Sequence, residues 1–112
     1  MDIEKFLEMT KNLEKKKKTK AEEQEKLRGF FERFHNLNRT YLNKENFEKA
    51  QGSISTMAEA IANTIQFLES EITRLRNKRM KLPFENVELA EMQKVQKKNE
   101  LMIKEFMAGE RE

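Results

Sequence analysis

The sequence predicts an all-α protein. It reads as three long helices, two of them folded into an antiparallel helical hairpin or bundle with coiled-coil character, within one domain spanning 1–112. Three observations predict this. Glu, Lys, Leu, Met and Gln, which lose little rotamer freedom on a helix, dominate the chain. Apolar residues recur every three or four positions over long runs. Strand and turn formers are scarce: Val occurs twice, Tyr once, Pro once and Gly three times.

The first helix is expected over about 3–42. It opens on an amphipathic stretch in which Ile3, Phe6, Leu7, Met9 and Leu13 share one wide face. Asp2 and Glu4 suit the positive end of its dipole. Residues 14–26, EKKKKTKAEEQEK, carry a single apolar residue, Ala21. Such a segment cannot enter a core, so it reads as a solvated helix bridging two apolar patches or as a frayed linker. Leu27, Phe30, Phe31, Phe34, Leu37 and Tyr41 then form the densest aromatic stripe in the chain. Asn36, Asn38, Asn43 and Asn46 favour turns and place the helix end near 39–43.

The strongest periodicity follows. Phe47, Gln51, Ile54, Ala58, Ile61, Ile65, Leu68, Ile72, Leu75, Arg79 and Leu82 are separated by alternating steps of four and three. That is the seam of a coiled coil. Ile61, Ile65, Leu68, Ile72 and Leu75 are therefore expected to hold an internal hairpin or an oligomer together. Thr56 and Glu59 match a capping box, which starts the regular helix near 56, with 44 as the earlier alternative. Pro83 ends it at 82 and suits the first turn of a third helix, 84–108. Phe84, Leu89, Met92, Val95, Met102, Ile103 and Phe106 share a face of that helix, with Gln96 and Asn99 inside the same face.

Composition bounds the function. Leu, Ile, Val and Phe make up 26 of 112 residues, just above the roughly 20% below which disorder is expected at high net charge. Net charge is only +3, from 23 Lys and Arg against 20 Asp and Glu. A folded chain with a thin core follows, and self-association into a dimer or larger oligomer is expected. The lack of Cys excludes disulfides and thiolate metal sites. No apolar run approaches the roughly 20 residues that cross a bilayer, and the first residues lack the apolar stretch of a signal peptide. A cytoplasmic setting without membrane attachment is expected.

Catalytic patterns are absent: no phosphate-binding glycine loop and no nucleophile beside an oriented base. Glu32 and His35 have the spacing of half a di-iron carboxylate motif. The chain has one His, and Phe31 and Phe34 claim the buried stripe, so an ordinary boundary histidine is the simpler reading. No metal or other cofactor is expected. Lys15–Lys18 with Lys20 point all round a helix and are flanked by Glu14, Glu22, Glu23 and Glu25, which reads as a solvated face. Arg74, Arg76, Lys78, Arg79 and Lys81 form the better basic patch, uninterrupted by acids. They complement a helix C-terminus, and they also suit phosphates or an acidic protein surface. Asn38-Arg39-Thr40 matches a glycosylation acceptor by chance. The expectation is a non-enzymatic helical protein-binding module (an adaptor, inhibitor or assembly factor) engaging a protein through Ile3, Phe6, Leu7, Phe30, Phe31 and Phe34. A nucleic-acid-binding accessory protein using 74–81 is the alternative.

Overall fold

The computed structural model describes residues 3–15 and 20–111. They form five helices and, among the described residues, no strand: α1 Ile3–Lys15, α2 Lys20–Leu37, α3 Lys44–Ala50, α4 Ile54–Asn77 and α5 Pro83–Arg111. The all-helical class agrees with the sequence; the division into three long helices does not.

The expected first helix is two helices lying side by side. Phe6 of α1 and Phe30 of α2 have ring centroids 6.2 Å apart. On one continuous helix, 24 positions would separate them by roughly 36 Å. High helix propensity through 14–26 says nothing about direction, so the sequence did not register that the chain doubles back. Continuity through 16–19, and the Lys16–Lys18 part of the lysine run, lie outside the described residues.

α3 and α4 are also separate, and capping chemistry explains why. Asn43 accepts the Asn46 amide at 2.8 Å and starts α3. Ser53 starts α4: its hydroxyl accepts the Thr56 amide at 3.2 Å, and Thr56 Oγ1 accepts the Ser53 amide at 3.1 Å. The capping box is therefore Ser53–Thr56, three residues before the expected one. Thr56 Oγ1 also lies 2.6 Å from the Ala50 carbonyl, to which it donates, closing the joint between the two helices.

α4 is the axis of the molecule, and each of the other four helices packs on it. Its buried face reads Ile54, Met57, Ala58, Ile61, Ala62, Thr64, Ile65, Leu68, Ile72 and Leu75. The seam expected at 61, 65, 68, 72 and 75 is thus buried within the single chain. α5 runs past α4 in the opposite direction, since Lys78 bonds Glu85 at the corner and Gln96 bonds the Ile65 carbonyl 31 positions away.

Two apolar clusters fill the interior. The larger joins Phe6, Leu27, Phe30, Phe31, Phe34, Met57, Ile61, Ile65 and Ile103, with Phe106 packed against it. Phe30 and Phe106 rings lie 4.9 Å apart and Phe6 and Phe106 6.0 Å apart, so α1, α2 and the end of α5 meet in one aromatic group. The smaller joins Leu68, Ile72, Leu75, Met92 and Val95, with Leu37, Tyr41 and Leu89 at its edge. A layer of buried amides lies among the helices of the two clusters. Asn38 Nδ2 donates to Asn99 Oδ1 at 2.8 Å, Asn99 Nδ2 returns the bond to Asn38 Oδ1 at 3.0 Å, and Gln96 Nε2 donates to the Ile65 carbonyl at 3.1 Å. Asn38 and Asn99 are fully buried, so this exchange satisfies polar atoms that water cannot reach. Burial also removes Asn38 from any role as a glycan acceptor in the folded chain.

The molecule measures 54 × 28 × 16 Å with a radius of gyration of 15.3 Å, against about 13 Å for a compact chain of this length. It is a flat rod, and its two ends differ.

Candidate functional site

The six apolar residues expected to meet a partner lie in the protein's own interior. Phe6, Phe31 and Phe34 are wholly inaccessible, Phe30 and Ile3 nearly so, and Leu7 is half-buried against the same cluster. A charged stretch between two apolar runs implies, taken alone, that the two patches stay apart. Folding α1 back on α2 brings them together and lets each cover the other.

The exposed apolar surface lies elsewhere. Among the described residues, the large hydrophobic side chains left exposed are Phe67, Met80, Leu82, Phe84, Val87 and Leu101, and four of these fall within eight residues around the α4–α5 corner. Met80 is 86% exposed, Val87 71%, Phe84 64% and Leu82 56%. Leu82 and Phe84 were expected on the buried faces of their helices. Two local events remove them. α4 ends at Asn77, not at 82, because Lys78 turns extended (ψ 123°); the heptad steps to Arg79 and Leu82 therefore fall in a loop. In α5 the inward face is Glu85, Leu89, Met92, Val95, Gln96, Asn99 and Ile103, and Phe84 and Val87 point off it. The signal was present in the sequence: the four-three steps through Leu89, Met92, Gln96, Asn99 and Ile103 fix the phase of α5, provided the amides are accepted as inward residues.

Glu85 ties the corner. Its Oε1 accepts the Leu82 amide at 3.0 Å, which caps α5, and its Oε2 accepts Lys78 Nζ at 2.6 Å, which joins the loop's two ends. The Lys78 ammonium, then the Leu82 amide, hold the Glu85 carboxyl below the ordinary 4.5. Pro83, with no N–H to leave unpaired, sits at the first position of the helix.

The basic stretch surrounds this tip, but its members are not equivalent. Arg74 pairs with Glu71 at 2.9 Å on the same helix, a bond that lowers the Glu71 carboxyl. Lys78 is engaged with Glu85. Arg76 faces Gln93, whose side-chain oxygen sits 3.0 Å from Nε and 2.9 Å from Nη2 in the amide orientation that satisfies both groups. Arg79 and Lys81 have no acidic partner among the described residues. The tip thus presents Arg79-Met80-Lys81-Leu82, alternating free cation and exposed apolar side chain, with Phe84 and Val87 beside them.

Other concavities are open. A groove of about 490 Å³ between α4 and α5 is lined by Glu69, Thr73, Arg76, Gln93, Lys97 and Glu100 among others. A second, about 450 Å³, lies beside His35, Arg39, Lys44, Phe47 and Glu48. The His35 ring stacks on Phe47 at 4.1 Å, while Glu32 faces solvent. Among the described residues no three His, Asp or Glu side chains converge as metal ligands, and no helix is long and apolar enough to cross a membrane. No protein-family model, curated protein or solved structure matches this chain.

Proposed function

We propose that the protein is a non-enzymatic helical binding module, an adaptor, inhibitor or assembly factor, that docks on another protein through its α4–α5 tip. The observation that carries this reading is the concentration of Met80, Leu82, Phe84 and Val87, all more than half exposed, at one end of a rod whose other large apolar residues are mostly covered. Contiguous apolar surface left in water is costly, and its usual counterpart is an interface. Met and Phe suit that role, because one adapts its shape and the other supplies large rigid area. The remaining helices act as a scaffold that holds the tip away from the body.

The nucleic-acid reading of 74–81 is weaker. Arg74 and Lys78 are committed to Glu71 and Glu85, which leaves few free cations for phosphates, and exposed apolar side chains among them do not suit a phosphate backbone. The test is affinity capture from the native cells with wild-type protein and with the double variant Met80→Ser/Phe84→Ser, quantified by mass spectrometry. Partners retained by wild type are expected to fall at least about tenfold with the variant, consistent with losing two buried anchors. An identical partner set from both proteins rejects the tip as the docking surface.

A further inference from the structure

We infer that the tip's partner is a different protein that offers an acidic groove with an apolar floor. This rests on the protein-docking reading above and adds the chemistry of the partner. The tip is a helix–loop–helix corner with its apolar side chains outward, so a groove covers more of them than a flat surface does. Arg79 and Lys81 alternate with Met80 and Leu82 along the loop. Burying the two apolar side chains therefore brings both cations into the interface rim. Neither cation has an acidic neighbour in this chain among the described residues. Unpaired charge in a desolvated contact is costly, so the favourable occupant supplies carboxylates opposite them.

A second copy of the chain does not meet that demand. A symmetric tip-to-tip contact crowds Arg79 and Lys81 of both copies into one small interface, and like charges across an interface are destabilising. An asymmetric contact of the tip with a copy's flank generates a ring or, where the rotation does not close, a filament. An anionic bilayer fits less well than a protein. Exposed Glu88 directly follows Val87, so inserting Val87 carries a carboxylate into a surface of its own sign. A protein groove can match cations and an acid individually, whereas an anionic bilayer presents mostly one sign.

The experiment places the photo-cross-linker p-benzoylphenylalanine at position 84 of the full chain, where the native ring is already 64% exposed. The protein is irradiated in cells that make it naturally, and the cross-linked peptide is identified by mass spectrometry. Arg79→Glu/Lys81→Glu is compared with Lys98→Glu/Lys104→Glu, an equal change of net charge on exposed positions of α5 roughly 22–32 Å from its start. Unchanged helical circular dichroism and melting check that both variants fold. The expected result is an adduct to a partner peptide rich in Asp or Glu with neighbouring apolar residues. Its yield falls about tenfold with the tip reversal and stays within twofold with the distal one. A protein adduct that maps to a neutral or basic peptide, or that ignores the tip reversal, overturns the inference and leaves the docking reading standing. A lipid adduct, an adduct only to a second copy, or no adduct overturns both.

Discussion

The two ends of the rod carry the same kinds of side chain and treat them oppositely. At the wide end Phe6, Phe30, Phe31 and Phe34 are 0–2% exposed, whereas at the tip Met80, Leu82, Phe84 and Val87 are 56–86% exposed. Hydrophobicity does not distinguish the groups, and spacing sets apart only Phe84 and Val87, which lie off the inward face of α5. Coverage does. Around Ile61 and Ile65, α4 is enclosed by α1, α2, α3 and the last turns of α5. Beyond Leu75, after Leu37 and Tyr41 have made their contacts, α4 and α5 have only each other among the described residues. Two adjacent helices cannot bury side chains on both of their outer flanks. An apolar residue becomes core only where a third element lies over it.

That contrast is broken most directly by making one substitution at both ends. Phe34→Ala removes a fully buried ring and is expected to cost about 3–5 kcal/mol, the range for Phe truncation in a packed core. Denaturant unfolding measures it, and a loss under about 1 kcal/mol contradicts the packing described. Asn99→Ala comes next. It leaves the buried Asn38 Oδ1 without a donor, while Asn38 Nδ2 keeps the Phe34 carbonyl, and it removes the bond to Gln96 Oε1, at an expected cost of about 1–3 kcal/mol.

Glu85→Gln probes the corner between the regions through pH. The folded carboxyl lies below 4.5, so the ionised form is the stabilised one. Its contribution is complete above the unfolded value and is lost as pH falls through the lowered folded value. The melting-temperature gap between wild type and Glu85→Gln is therefore widest near neutrality and closes in acid. A gap that stays constant from pH 7 to pH 3 contradicts the Lys78–Glu85–Leu82 arrangement. Phe84→Ala carries the smallest effect on folding, within about 0.5 kcal/mol of wild type, because the ring already faces water. A loss comparable to that of Phe34→Ala removes the distinction between the two ends.

Legibility in the sequence divided along the same line. Helix was readable throughout, because propensity and spacing are local. The buried run from Ile54 to Leu75 was readable too, since a stripe at steps of three and four implies one covered face. Direction and coverage are not local. The stretch 14–26 favours helix whether or not the chain reverses within it, so Phe6 and Phe30 read as separate patches when they touch. The Ser53–Thr56 box was missed because Thr stands where Glu or Gln is usual. The tip was misread because the pattern through Arg79 and Leu82 outlasts the helix that generates it, which ends at Asn77. Of the site, the basic residues were legible by composition. Which of them are free was not, because Glu71 and Glu85 select their partners in three dimensions.

The reciprocal amides of Asn38 and Asn99, with Gln96 bonded to the Ile65 carbonyl, act as a latch on the sliding coordinate of α5. Leu, Met and Ile contacts tolerate a shift of one helical turn, about 5.4 Å, since grease meets grease at either setting. Paired amides do not, because a displaced one faces hydrocarbon with its bonds unmade. These three polar side chains therefore fix the register of α5 against α4 and against the end of α2.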